Sequence, residues 1–116
     1  MPKTEMLKND RYTYRITWSE DDEEYVGLCV EFPSLSWLEK DQEAALTGIR
    51  KMVASVVKDM KANHETPPEP IASKRFSGKF MVRIPPELHR KLVLEAQEEG
   101  ISLNRLASDR LSRPCE

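Results

Sequence analysis

Three side chains close together in the C-terminal third of the chain have the chemistry to read DNA. Lys79, Met81 and Arg83 alternate with apolar residues across residues 78–85, so in a β-strand they would share one face. The Arg83 guanidinium matches O6 and N7 of guanine, Lys79 suits a base or a phosphate, and Met81 suits only a thymine methyl group or a DNA shape. An exposed ribbon of this kind fits a major groove. The alternative is that the two cations protect a strand edge from aggregation.

The apolar residues between them predict the element that must carry this face. Residues 78–85 end at Pro85, and Pro85 together with Pro86 favours the start of a helix. Two amphipathic helical segments follow, and Gly100 divides them. One strand and two short helices bury too little apolar surface to offset their chain entropy, so two copies are predicted to pair their strands and share a core. The predicted dimer core consists of Phe80, Val82, Ile84, Leu88, Leu92 and Leu106.

Phosphate contacts are predicted at two further places. Ser102 is the expected N-cap of the second helix, and the backbone N–H groups of Leu103 and Asn104 would then form an anion site at its N-terminus. The alternative is that Ser102 is a cap and nothing more. Lys74 and Arg75, upstream of the strand, would add cationic contacts.

The first part of the chain predicts a small β-β-β-α domain. Residues 12–18 alternate as a half-buried strand, a second strand runs over 25–32 after an acidic turn, and a short third strand covers 33–38. Asp41 is the expected N-cap of one long helix that ends near Ala62. Its predicted apolar stripe consists of Leu46, Ile49, Val53, Val56, Val57 and Met60.

The acidic turn in this domain predicts a weak protein-binding surface rather than a catalytic site. Glu20, Asp21 and Asp22 lie where little would hold them around a metal ion, so we expect a solvated loop or a contact with a basic protein. The third and least favoured alternative is the metal site of a metal-dependent ribonuclease. Trp37 and Leu38 are interface candidates, with a core role as the alternative. Because no motif sets a nucleophile beside His64 or His89, no catalytic residue, metal or cofactor is predicted.

Charge and proline content divide the chain into a domain at 1–63, a Pro-rich linker at 64–77 and a second domain at 78–113. Residues 1–72 hold 9 Lys and Arg against 14 Asp and Glu, a balance of −5, whereas residues 73–116 hold 9 against 6, a balance of +3. The basic part suits phosphate, and the acidic part suits a basic protein surface.

Composition predicts a cytoplasmic protein without a membrane partner. The hydrophobic fraction is 39% and no apolar run approaches the length of a membrane span, while the first residues lack the apolar stretch of a secretory signal. Cys29 and Cys115 have no metal-binding spacing and are expected to be free thiols.

Several motifs resemble one known family. Residues 78–112 resemble the ribbon-helix-helix DNA-binding module, and two stretches in them are similar to the tail of HicB-type antitoxins. These are Phe80-Met-Val-Arg-Ile-Pro-Pro-Glu-Leu-His89 and Glu99-Gly-Ile-Ser-Leu-Asn-Arg-Leu106. Residues 12–18, Tyr25-Val-Gly-Leu-Cys-Val-Glu-Phe-Pro33 and Glu43-Ala-Ala-Leu46 resemble the HicB partner-binding domain.

This resemblance implies an α+β protein with a degenerate RNase H-like domain that blocks HicA, an mRNA-cleaving ribonuclease toxin. It also implies a dimerising ribbon-helix-helix domain that binds operator double-stranded DNA and represses its own operon. We therefore predict a non-enzymatic type II antitoxin that forms a homodimer or a tetramer. The alternative is a stand-alone ribbon-helix-helix regulator whose first domain senses a ligand or oligomerises.

Overall fold

The computed structural model describes residues 6–114. The described residues up to Phe76 form one compact unit and those from Ser77 onward form a second. The fold is α+β, with a three-stranded antiparallel sheet followed by helices. The prediction for Cys115 falls outside the described residues.

The sheet confirms the predicted hairpin and third strand. Strand β1 spans Tyr14–Ser19, β2 spans Glu24–Cys29 and β3 spans Phe32–Glu39, in the order β1-β2-β3. Both neighbouring pairs are antiparallel. Strand β1 begins later than predicted because the Tyr12 backbone N–H turns toward the Asp10 carboxylate, 3.2 Å away, instead of entering the ladder.

Helix α1, Gln42–Ala62, covers one face of this sheet. Asp41 caps it as predicted, with its carboxylate accepting from the Ala44 N–H at 3.1 Å. The helix approaches closely because it meets β2 at Gly27, where a Cβ would lie 2.6 Å from the Ala45 carbonyl oxygen. Along its whole length the buried residues of the helix are Ala45, Gly48, Ile49, Val53, Ala54 and Val57.

The predicted stripe of α1 is therefore displaced at its start. Leu46 is 37% exposed, whereas its small neighbour Ala45 is fully buried. Since the backbones of α1 and β2 nearly touch there, only small side chains fit between them. The assignment of Leu46 to the core was wrong, and that of Ile49, Val53 and Val57 is confirmed.

The different burial of Ile49 and Leu46 gives a direct test of how α1 packs on the sheet. Ile49 is fully buried, so Ile49→Ala should lower the free energy of unfolding by about 2–5 kcal/mol. Leu46→Ala, one turn earlier and on the exposed side, should cost about 1 kcal/mol or less. Urea denaturation of both variants measures the two values, and equal losses would contradict this arrangement.

Residues 64–76, within the predicted Pro-rich linker at 64–77, include contacts with the first unit. Pro67, Pro68 and Pro70 are half-buried, and the Pro68 carbonyl accepts from the Tyr12 hydroxyl at 2.8 Å. The boundary between the units lies at residue 76. The segment bonds to residues far away in sequence, as the Ile71 N–H also does to Glu31 at 2.9 Å.

The second unit contains helices α2, Pro86–Glu99, and α3, Leu103–Leu111. Pro86 opens α2 and Gly100 closes it with a φ of 70°, both as predicted. Residues 78–85 are in no β-ladder with any described residue. A ladder needs a second strand, so a ribbon made by two chains has no counterpart in one copy. Along the part of the chain that is described, no helix has the length and apolar character of a membrane span.

Candidate nucleic-acid interface and protein-binding surface

The residues predicted to read DNA lie in an exposed, extended segment. Lys79, Met81 and Arg83 are all exposed, and Met81 is 83% accessible. The segment begins with a local turn in which the Ser77 hydroxyl accepts from the Lys79 N–H at 3.0 Å. In a single copy these side chains are free to meet a ligand.

The apolar side of the same segment is exposed as well. Phe80 is 76% and Val82 58% accessible, and Leu111 on α3 is also exposed. These three residues line one open groove between the segment and α3. Only Ala96 and Leu106 are buried hydrophobic residues in the described part of the second unit, so its apolar surface is far larger than its core.

Of the six predicted dimer-core residues, Leu106 is buried, Leu92 is half-buried, and the others are exposed in one copy. Leu88, Leu92 and Leu106 lie on the two helices, which are linked by an ion pair between Arg110 on α3 and Glu95 on α2. The tail thus presents a preformed helix pair beside an extended segment that lacks a strand partner.

The N-terminus of α3 has the predicted cap. The Ser102 hydroxyl accepts from the Arg105 N–H at 3.0 Å, and the first N–H groups of the helix, those of Leu103 and Asn104, have no acceptor within the helix itself. Together with the positive end of the helix dipole, they are suited to bind an anion.

Lys74 and Arg75 are part of the first unit rather than of the tail. The Lys74 N–H donates to the Pro70 carbonyl at 3.0 Å, and its ammonium group lies 5.7 Å from the centre of the Phe76 ring. Both cations are exposed, so their predicted phosphate contact is sterically open.

The acidic turn between β1 and β2 is locally ordered. The Trp18 indole N–H donates to Glu20 at 2.6 Å, and the Ser19 hydroxyl donates to Asp22 at 2.9 Å. In the described residues the salt bridge in this region joins Glu24 to Lys40 at 3.7 Å. Glu20, Asp21 and Asp22 are exposed, so a strongly negative edge faces solvent.

Trp37 lies on the helix side of the sheet and is 39% exposed. A Cβ at Gly48 would overlap its indole, so the ring packs directly on the α1 backbone. This contact gives Trp37 a packing role while leaving part of the ring accessible.

A second surface lies on the other face of the sheet, and of its residues only Leu38 was an interface candidate from the sequence. Residues alternate along β2, and Gly27 and Cys29 face α1, so Val26 and Leu28 point away from it. Leu38 is the register partner of Val26 and is 43% exposed. We call Val26, Leu28 and Leu38 the open face. The signal was the non-alternating apolar run from Tyr25 to Val30, which is typical of strands covered on both sides.

The buried ionisable groups of the first unit stabilise its fold. The Asp10 carboxylate accepts from the Tyr14 hydroxyl at 2.8 Å and from Arg50 Nε at 3.2 Å. Burial and the bond to Asp10 raise the pKa of Tyr14 far above its ordinary value. Burial also raises the pKa of Cys29 to about 11, so this thiol is unreactive at neutral pH. Within residues 6–114, no three His, Cys, Asp or Glu side chains are grouped as a metal site.

Comparison with known proteins gives one match. The model of the HicB family matches residues 62–111, which include both helices of the second unit. The matched part is 50 of the 116 residues, so the match is a likeness of the C-terminal half of the chain to that family. No curated protein and no solved structure matches the chain significantly.

Proposed function

We propose, with the HicB-family match as premise, that this chain is the antitoxin of a type II toxin-antitoxin system. In this proposal the first unit binds and neutralises a HicA-like ribonuclease toxin, and the second unit represses the operon by binding operator DNA. The chain itself performs no catalysis. It acts by covering a surface of the toxin and by binding to the operator DNA.

The observation that carries the DNA-binding half is the two-sided character of residues 78–85. Phe80 and Val82 are exposed apolar side chains that alternate with the cations Lys79 and Arg83. Pairing two segments as antiparallel strands would bury the apolar side and leave the cations on the outer face of a ribbon. That ribbon fits the major groove, with the α3 N-termini available for phosphates.

The toxin-binding half is supported by the open face and the acidic turn. Val26, Leu28 and Leu38 give an apolar centre, and Glu20 to Asp22 supply negative charge at the sheet end where β1 turns into β2. A protein that binds RNA has a basic surface, so this combination is complementary to it. We place the toxin on the open face.

Substitution on the open face tests this placement. Leu28→Arg should weaken toxin binding at least tenfold, because it puts a cation in the apolar centre opposite a basic partner. Ser55→Arg, an exposed position on α1, is the matched control and should bind the toxin normally. Titration calorimetry with the HicA-like protein of the same operon measures both, and unchanged affinity of Leu28→Arg would contradict the placement.

A second candidate function follows from the same face. An exposed aliphatic strand face also suits pairing with another copy, as in a stand-alone regulator whose first unit oligomerises. Growth of cells that express the toxin distinguishes the candidates, since only an antitoxin restores growth.

A further inference from the structure

Two hydrogen bonds fix the proline segment to the first unit. The Tyr12 hydroxyl donates to the Pro68 carbonyl at 2.8 Å, and the Ile71 N–H donates to Glu31 Oε2 at 2.9 Å. Beyond Ile71, a turn is closed by the Lys74 N–H, which donates to the Pro70 carbonyl at 3.0 Å. We call residues 66–74 the docked segment.

Both anchors are held in place by the sheet before the segment reaches them. The Glu31 carboxylate accepts from the Thr13 N–H at 2.9 Å and from the Thr13 hydroxyl at 3.1 Å. The Tyr12 ring packs edge-on against the buried Phe32 ring, with centroids 5.3 Å apart. Because Tyr12 and Glu31 are already oriented and the prolines restrict the chain, docking of the segment loses little conformational entropy.

We propose that Glu31 and Tyr12 are positioning residues that shorten the connector to the operator-binding tail by docking residues 66–74. This inference rests on the proposed function for its consequence, but the docking itself does not depend on a toxin or an operator.

Docking changes the reach of the connector considerably. With the segment docked, residues 75–77 alone lie between it and the extended segment, a contour of about 10 Å at about 3.4 Å per residue. With residues 64–77 free, the contour would be about 48 Å by the same estimate. Docking therefore shortens the tether between the two units, which limits the range of distances over which a toxin and an operator can be bound together.

Amide exchange in the full chain tests the proposal. In Tyr12→Phe, which keeps the ring against Phe32, and in Glu31→Ala, exchange of the Ile71 amide should accelerate at least tenfold by NMR, while the Gly27 amide in β2 is unchanged. Glu69→Gln is the matched control, since Glu69 is exposed within the docked segment, and it should behave as wild type. Small-angle scattering should show a larger maximum dimension for Glu31→Ala and not for Glu69→Gln.

Unchanged Ile71 exchange in both variants would overturn the proposal. If Glu31→Ala accelerated every amide, the first unit would have unfolded, and Tyr12→Phe would then decide: selective acceleration at Ile71 supports docking, and none refutes it. If the wild-type chain failed to bind the toxin or the operator, the proposed function would be refuted. The exchange results would still test docking.

Acid provides a second way to release the segment. Desolvation acts to raise the pKa of Glu31, but the bonds from the Ile71 and Thr13 N–H groups outweigh it and hold the pKa below its ordinary 4.5. A lowered pKa means that docking is fully favoured above pH 4.5 and is lost as pH falls through the folded value. The titratable groups facing this carboxylate, Cys29 and Tyr12, have raised pKa values and stay neutral there. After division by the intrinsic rate, which itself varies with pH, the protection factor of the Ile71 amide should therefore fall in acid in wild type and be independent of pH in Glu31→Ala.

Discussion

Val82→Asp is expected to convert the full chain from a dimer into a monomer and to reduce operator affinity at least a hundredfold. Val82 lies in the middle of the apolar side of residues 78–85 and is 58% exposed in one copy. In the proposed two-chain ribbon this side would be buried, and an unpaired carboxylate there would cost several kcal/mol. Sedimentation velocity and a gel-shift titration measure the two effects.

Val30→Asp is the matched control, because Val30 is 48% exposed but lies in the first unit. It should leave tail pairing and operator affinity intact. A Val82→Asp protein that still sedimented as a dimer would contradict the ribbon.

Arg83→Ala has the second largest expected effect. A bidentate contact with guanine is worth about 1–3 kcal/mol of discrimination, so the substitution should weaken operator binding about tenfold or more. Arg11→Ala, an exposed arginine in the first unit, controls for the loss of one positive charge. Both proteins should remain dimers and neutralise the toxin, and a normal operator affinity for Arg83→Ala would contradict the assignment of the outer face.

The elements that could be predicted from the sequence are those with local causes. Asp41 and Ser102 cap their helices and Gly100 closes one, because capping and left-handed backbone depend on residues within one turn. The position of Leu46 could not be predicted in this way. Helical period places it near the core, but the close approach of α1 to Gly27 selects Ala45 instead.

Long-range contacts explain what the sequence interpretation missed. The bond between Tyr12 and Pro68 joins residues 56 positions apart, and nothing in the proline pattern indicates it. The open face became visible only when the sheet register showed which side α1 covers. The proposed strand at residues 78–85 would pair with a second chain, so the structure of one copy does not contain its ladder.

The most direct test of tail pairing is the mass and amide protection of the full chain at micromolar concentration. Pairing predicts a particle of two chains or a multiple of two by sedimentation equilibrium, with slow amide exchange across residues 78–85. A monomer with folded α2 and α3 and unprotected amides in that segment would contradict it.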